Sequence, residues 1–128
     1  YAQYFADKFS TAIFFLVQAH DFSAMHRLTA AETYHFHSGA PLRFLLLHPD
    51  GRIERRLLGI DTAGGERPGL SVPAGVWQGS ETTGAWSLVG ATMAPGFQPE
   101  MFELGDRAAL SRQYPRAAAD IERLTRVV

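Results

Sequence analysis

Turn-forming residues recur along almost the whole chain and divide its apolar residues into short runs. The clearest are "HPDG" at 48–51 and "PAG" at 73–75. Proline pre-sets the backbone for a turn and glycine accepts a positive φ, so both strings end a strand. Short runs with turn signals about every 8–12 residues predict an antiparallel β-sandwich or barrel.

The runs between the turns have the composition of β-strands. Apolar, β-branched and aromatic residues dominate 11–19 and recur in the later runs, as is typical of strands. Three predicted strands cover residues 11–19, 24–28 and 32–39. One further strand is predicted within each of the segments 41–51, 52–60 and 85–97, and two are predicted within 69–81. Helix is predicted only at the end, where Asp106 can cap one segment and Pro115 can begin the next. We expect this short helical segment to lie outside an all-β fold.

Length and charge exclude several classes of protein. With 128 residues the chain is expected to form a single domain, 1–128, with one buried core. A net charge of −1 predicts no nucleic-acid partner, and no apolar run reaches the length of a membrane span. The chain lacks cysteine and begins at Tyr1. We expect a cytoplasmic protein whose N-terminal segment is missing from this sequence.

Several strings occur in an order that resembles one family. They are His26 and Glu32 with Gly39, then "LLGID" with "GGERP", "VPAGVW", and "SLVGATMAPGF". The pattern, from about residue 11 to residue 124, is similar to an uncharacterised single-domain subfamily of the cupins (cupin-5-like). The resemblance implies a double-stranded β-helix, the cupin jelly roll, related in fold to dTDP-sugar epimerases. It also implies a homodimer.

The metal motif of the cupins is incomplete in this chain. The family pattern has two histidines in HxH, then a glutamate, then a glycine seven residues further on, and a last histidine in PxGxxH. Glu32 and Gly39 fit, His26 fits the second histidine, but Ala24 and Gln78 stand where the other histidines would be. Amide oxygens are poor ligands for transition metals. We therefore expect no tightly bound metal, while a weakly bound divalent ion at His26 and Glu32 stays an alternative.

Strand alternation separates the remaining histidines from this site. Side chains alternate between the two faces of a strand, so Glu32 and Tyr34 share one face while His35 and His37 share the other. If Glu32 faces the interior, as the resemblance implies, His35 and His37 face outward, where they are a plausible dimer contact. His48 lies beside a turn, and we expect it at the surface.

The interior set predicts a site for acid–base chemistry. The candidate catalytic residues are His26, Glu32 and Tyr34, and the candidate ligand-binding residues are Gln78, Phe15, Trp77 and Phe97. A histidine beside a carboxylate is suited to proton transfer, and the related sugar-nucleotide epimerases use a histidine base.

Three functions remain open from the sequence. The first is a metal-independent epimerase or isomerase with His26 as base, acting on a carbohydrate-like or carbonyl substrate. The second is a non-catalytic module that binds a small metabolite. The third is a metal-dependent oxygenase or isomerase.

Overall fold

The computed structural model describes residues 1–127, which form eleven strands and two α-helices. The first six strands are β1 (Ala2–Ala6), β2 (Thr11–Gln18), β3 (Ser23–Leu28), β4 (Glu32–Gly39), β5 (Leu42–Leu47) and β6 (Ile53–Leu58). The other five are β7 (Glu66–Arg67), β8 (Gly69–Val72), β9 (Trp77–Thr82), β10 (Trp86–Met93) and β11 (Phe102–Leu104). The helices are α1 (Arg107–Gln113) and α2 (Ala118–Arg123), and 3₁₀ turns occupy Thr62–Gly64, Pro99–Met101 and Pro115–Ala117.

The strands form two sheets that face each other. One has five strands in the order β1-β2-β10-β4-β8, and the other has six in the order β11-β3-β9-β5-β6-β7. Strands distant in sequence lie side by side, and all pairs are antiparallel except β6 with β7. This is the jelly-roll arrangement of a double-stranded β-helix, so the predicted fold class is confirmed.

The main core fills the space between the two sheets. It contains alternating residues of β5 together with the inward residues of β2, β8 and β10, among them Val17, Phe44, Val72 and Val89. The turns that the sequence predicts permit this stacking. Gly51 and Gly75 both take positive φ, 92° and 81°, at the turns after β5 and β8.

A second apolar layer lies on the outside of the six-stranded sheet. The C-terminal helices contribute Leu110, Tyr114 and Ile121, which pack against Leu47 and Trp77 of the sheet. The carboxylate of Asp106 accepts a hydrogen bond from the amide of Ala109 and caps α1, as the sequence predicts. The helices therefore cover one face of the sandwich.

No element in residues 1–127 covers the outer face of the five-stranded sheet in the same way. Its outward residues include Phe14, Leu16 and Trp86, whose exposed fractions are 44%, 51% and 42%. Tyr4 from β1 stacks on Phe14 with 4.4 Å between the ring centroids. Within the described residues, no helix is long and apolar enough to cross a membrane.

Candidate functional site

A cavity of about 180 Å³ lies between the two sheets, and the predicted polar residues meet there. His26 from β3 and Glu32 and Tyr34 from β4 line it together with the side chains of Phe15 and Phe97. Five of the seven residues that the sequence singles out are therefore brought together by the fold. The rest of the wall is mainly apolar.

A bulge in β3 determines how His26 is presented. Ser23 pairs with Ser80 and His26 with Gln78, so the three-residue step on β3 faces a two-residue step on β9. The Nδ1 atom of His26 lies 2.8 Å from the carbonyl oxygen of Ala24 within this bulge. Because a carbonyl only accepts, Nδ1 must carry the proton, and the neutral ring keeps its lone pair on Nε2.

The ring of His26 is also held from one side. Phe102 of β11 stacks on it, with centroids 5.1 Å apart and an interplanar angle of 18°. Phe102 is itself 44% exposed and also lines the cavity. The ring is thus oriented by one hydrogen bond and one stacking contact.

Glu32, Tyr34 and Gln78 form a closed hydrogen-bonded ring. The Tyr34 hydroxyl oxygen lies 2.9 Å from Glu32 Oε1 and 2.6 Å from Gln78 Oε1, and Gln78 Nε2 donates to Glu32 Oε1 at 3.2 Å. The tyrosine has one proton for two oxygen neighbours. It therefore donates to one of them at a time, to Glu32 Oε1 or to Gln78 Oε1.

Burial shifts three ionisable groups of the cavity, those of His26, Glu32 and Tyr34, toward their uncharged forms. Desolvation lowers the pKa of His26 below 6.5 against the smaller effect of the Ala24 hydrogen bond. Desolvation raises the pKa of Glu32 above 4.5, and the hydrogen bonds from Tyr34 and Gln78 only partly oppose it. The pKa of Tyr34 is raised well above 10.0, mainly by burial. Each of these groups is therefore uncharged over a wider range of pH in the cavity than it is in water.

Two predicted ligand-binding residues lie elsewhere. Trp77 is on the opposite face of β9, buried beneath the C-terminal helices, with the Arg27 guanidinium 4.5 Å from its ring centre. Since neighbouring residues of a strand face opposite ways, Trp77 and Gln78 cannot both point inward. Gln78 does point inward, but it lies behind Glu32 and Tyr34 and is not among the cavity-lining residues. The sequence prediction is corrected for both residues.

The other histidines lie outside the cavity. His35 contacts the Thr92 hydroxyl at 3.0 Å, and His37 packs edge-on against Phe14, so both lie on the outer sheet face as strand alternation predicts. The expectation that His48 lies at the surface was wrong. It is only 8% exposed, because its ring pairs with Glu54 at 2.7 Å beside the helical layer.

Several wall residues were not predicted from the sequence. Ile13, Leu28, Met93 and Phe102 line the cavity, and Ser23 adds a hydroxyl beside His26. Ile13 and Leu28 follow the two-residue period from Phe15 and His26, so alternation offered a signal for them. Ser23 breaks that period because of the bulge, and Phe102 lies on a strand that the sequence did not predict.

The side chains at this site do not fit the tightly bound metal for which the complete cupin motif supplies ligands. Catalytic divalent sites usually use three protein ligands, and among the wall residues within 1–127 only His26 and Glu32 are suitable donors. Ala24 offers no side-chain donor, and both amide atoms of Gln78 are engaged by Tyr34 and Glu32. In the described part of the chain, no group of three or more His, Cys, Asp or Glu side chains is arranged to hold a metal.

The raised pKa of Glu32 predicts a pH dependence of stability that Glu32→Gln removes. The folded protein holds this proton more tightly than the unfolded chain, so the contribution is complete below pH 4.5 and is lost as pH rises through the folded pKa. Wild type should therefore lose stability relative to Glu32→Gln above pH 4.5. Thermal unfolding of both proteins from about pH 4 to about pH 8 checks this.

His26 provides an internal reference in the same experiment. Its pKa is lowered from 6.5, so its contribution is present above that pH and is lost as pH falls through the folded pKa. Both proteins retain His26 and should share this acid-side loss. Parallel curves over the whole range would contradict the assignment of a raised pKa to Glu32.

Comparison with known proteins gives the same fold and identifies the family. Residues 3–105 match the model of the family described as Cupin superfamily (DUF985). A crystal structure of a protein from Shewanella oneidensis is 38% identical, with a TM-score of 0.89 over 94% of this chain and 77% of that one. A hypothetical protein from Leishmania major is 30% identical, with a TM-score of 0.83 over 92% of this chain and 77% of that one.

A more distant solved structure shares the fold. A dTDP sugar isomerase from Desulfovibrio desulfuricans is 19% identical, with a TM-score of 0.65 over 79% of this chain and 67% of that one. No functionally curated protein matches the chain. The extent of the family match and the identity to the first two structures lead to one conclusion: the chain belongs to the cupin superfamily, in the family DUF985.

Proposed function

We propose that the chain binds a small molecule in its cavity and catalyses a metal-independent, isomerase-like proton transfer on a carbonyl or carbohydrate-like substrate. His26 is the base. The observation that carries the proposal is the contact between His26 Nδ1 and the Ala24 carbonyl, because it fixes the tautomer whose Nε2 can accept a proton. The lowered pKa of His26 supports the same role, since it keeps the ring unprotonated near neutral pH.

The proposed reaction uses the two shifted groups in opposite directions. His26 Nε2 takes a proton from the carbon next to the substrate carbonyl, that C–H bond breaks, and its electron pair forms the C=C bond of an enol. Glu32 gives its proton to the carbonyl oxygen. The Tyr34 hydroxyl and the Gln78 amide can then both donate to the new carboxylate. In the return step the enol O–H bond breaks, its proton goes back to Glu32 and the C=O bond re-forms, while His26 gives its proton to carbon. Delivery to the original carbon gives hydrogen exchange, and delivery to a carbon conjugated with the enol gives the isomer with a shifted double bond.

The likeness to a dTDP sugar isomerase supports this choice of reaction at the level of the fold. The protonation states of the cavity support it at the level of chemistry. A general base and a general acid need pKa values that leave one unprotonated and the other protonated at the same pH. His26 and Glu32 are shifted in the directions that this requires.

Exchange of solvent deuterium tests the proposal without a known substrate. The purified protein is incubated in D₂O with cyclohexanone, a simple carbonyl, and with dihydroxyacetone, a carbohydrate-like one. We expect incorporation of deuterium next to the carbonyl, followed by NMR, at a rate above that of buffer alone. Incorporation that appears only after a divalent metal is added would favour the metal-dependent function.

A second candidate is a binding module without turnover. The observation that favours it is the closed ring of Glu32, Tyr34 and Gln78, in which each side chain already has partners within the protein. Such a ring makes a rigid wall for ligand recognition. Ligand binding without deuterium exchange at any probe would select this function and overturn the catalytic one.

We also propose that the protein acts as a homodimer through the outer face of the five-stranded sheet. Phe14, Leu16 and Trp86 are exposed there, and the outward positions of β2 and β10 contain no charged residue. A second copy can therefore approach without repulsion between like charges.

The cytoplasmic location that the sequence suggests stays a prediction.

Sedimentation tests the dimer with one substitution. Wild type is expected to sediment at twice the mass of the chain, and Leu16→Glu to sediment as a monomer because it places a charge in the apolar contact. Ile60→Glu is the matched control, since Ile60 is 75% exposed in the loop after β6, away from this face. A monomeric wild type at micromolar concentration would refute the proposal.

A further inference from the structure

The charge of the cavity wall restricts what can bind. Among the described residues that line it there is no lysine or arginine. Arg27 follows His26 directly, yet it points to the other side of β3, where it pairs with Glu103 and lies over Trp77. A carboxylate or phosphate that binds here would lose its hydration, and no cation on the wall would compensate for that loss. Its binding is therefore costly.

The pKa shifts of His26 and Glu32 give the same indication. Burial drives His26 and Glu32 toward their neutral forms, so the cavity already disfavours charge on its own side chains. A charged ligand would meet the same lack of solvation. Among the described lining residues, the imidazole of His26 lies on β3 and the carboxyl group of Glu32 on β4 of the facing sheet.

The hydrogen-bonding capacity of the cavity is small. Thr11 Oγ1 already accepts from the amide of Phe97, and Gln78 is engaged behind the wall. The remaining polar side chains of the lining are mainly those of Ser23, His26 and Glu32, with Gln3 and Tyr1 among its exposed residues. A sugar ring carries hydroxyl groups all around its edge, and most of them would face apolar side chains such as Ile13 or Met93.

The size of the cavity sets an upper limit. Its volume is about 180 Å³, and an apolar cavity of about 150 Å³ accommodates benzene, so about six to ten non-hydrogen atoms fit. A nucleotide sugar would extend beyond the mouth. The exposed lining residues Tyr1, Gln3 and Phe102 have uncharged side chains.

We infer that the cavity takes an uncharged, largely apolar carbonyl compound about the size of a substituted benzene or cyclohexane, and neither a nucleotide sugar nor a carboxylate. This inference rests on the proposed function for the role of the carbonyl group. In this placement the carbonyl oxygen lies at Glu32 and the adjacent carbon at His26, and the apolar body packs against Phe15, Met93 and Phe97. The substrate class is thus narrower than carbonyl or carbohydrate-like compounds in general.

Binding to the intact chain tests the inference separately from turnover. Acetophenone and benzoate have nearly the same shape but differ in charge, and cyclohexanone, methyl glucoside and dTDP extend the comparison. Calorimetry or NMR titration should give acetophenone or cyclohexanone an affinity at least about tenfold above that of benzoate, methyl glucoside or dTDP, a difference of about 1.4 kcal/mol. Tighter binding of benzoate, methyl glucoside or dTDP, or no binding of either ketone, would overturn the inference.

A substitution that fills the cavity locates the binding. Ala91 is buried on the wall, so Ala91→Leu should weaken acetophenone binding at least about tenfold while His26 and Glu32 stay in place. Ala85→Leu is the matched control, because Ala85 is exposed in the turn before β10 and does not line the cavity. Equal binding by both folded variants would overturn the location. If Ala91→Leu does not fold, acetophenone-induced NMR shifts in wild type must centre on Phe15 and Met93.

The two proposals fail in different ways. Ketone binding without deuterium exchange would refute the catalytic function and leave the inferred ligand class intact. Exchange into dihydroxyacetone together with failure of the ketones to bind would refute the ligand class and leave the catalytic function intact.

Discussion

Replacing His26 with glutamine is expected to reduce deuterium exchange by about 10²- to 10⁴-fold, the usual contribution of a positioned general base. Glutamine can preserve a donor toward the Ala24 carbonyl, but its amide cannot accept a proton near neutral pH. The substitution should lower the exchange rate and leave the ligand affinity unchanged. The reason is that His26 accepts the substrate proton only in the transition state and not in the bound ground state. NMR exchange rates at saturating cyclohexanone, with a parallel binding titration, measure both quantities.

Arg27→Gln is the control for this experiment. Arg27 is adjacent on the same strand but faces outward, pairing with Glu103 at 2.8 Å. Arg27→Gln should leave the exchange rate unchanged.

The wild-type exchange rate should also pass through a maximum with pH, because His26 must be unprotonated and Glu32 protonated. Exchange by His26→Gln at the wild-type rate would mean that another group is the base.

Replacing Phe44 with alanine is expected to cost about 3–5 kcal/mol of unfolding free energy, as is typical for a buried phenylalanine. Phe44 is 1% exposed in the core between the sheets. Its ring lies 4.8 Å from that of Tyr34, centroid to centroid, at an interplanar angle of 60°. The cavity left by alanine would remove one support of Tyr34, so ligand affinity should fall as well. Urea unfolding with linear extrapolation measures the free energy.

The same chemical change at an exposed position provides the comparison. Phe9 is 69% exposed, so Phe9→Ala should change the unfolding free energy by no more than about 0.5 kcal/mol. Phe44→Leu keeps most of the volume and should cost less than alanine. Equal costs for Phe9→Ala and Phe44→Ala would show that burial at residue 44 has been misjudged.

The local pattern of the sequence is sufficient for most of the strands. Turn chemistry at "HPDG" and "PAG" correctly separates β5 from β6 and β8 from β9. The strands that were not predicted are β1, β7 and β11. β1 and β11 have no buried residue and β7 is two residues long, so none shows the alternation of apolar and polar residues that reveals a strand.

Strand alternation and the family resemblance together predicted part of the site. Both indicate Glu32 and Tyr34 on an inward face, and the structure places them there. The bulge at Ala24 could not be predicted, because a bulge depends on pairing with a distant strand. Trp77 was misplaced because its size suggested a cavity wall, while alternation from Gln78 places it under the helices. Long-range pairing therefore limits what a local pattern can predict.

The chain contains two tryptophans, and they lie on opposite sides of the sandwich. Trp77 is 8% exposed beneath the C-terminal helices, and Trp86 is 42% exposed on the outer face of the other sheet. Each indole is thus a separate optical reporter. In Trp86→Phe, the emission of Trp77 follows release of the helical layer. In Trp77→Phe, the emission of Trp86 reports whether the outer face of the five-stranded sheet is exposed to water or covered. Release of the helical layer and covering of this face, which calorimetry does not separate, can thus be observed one at a time.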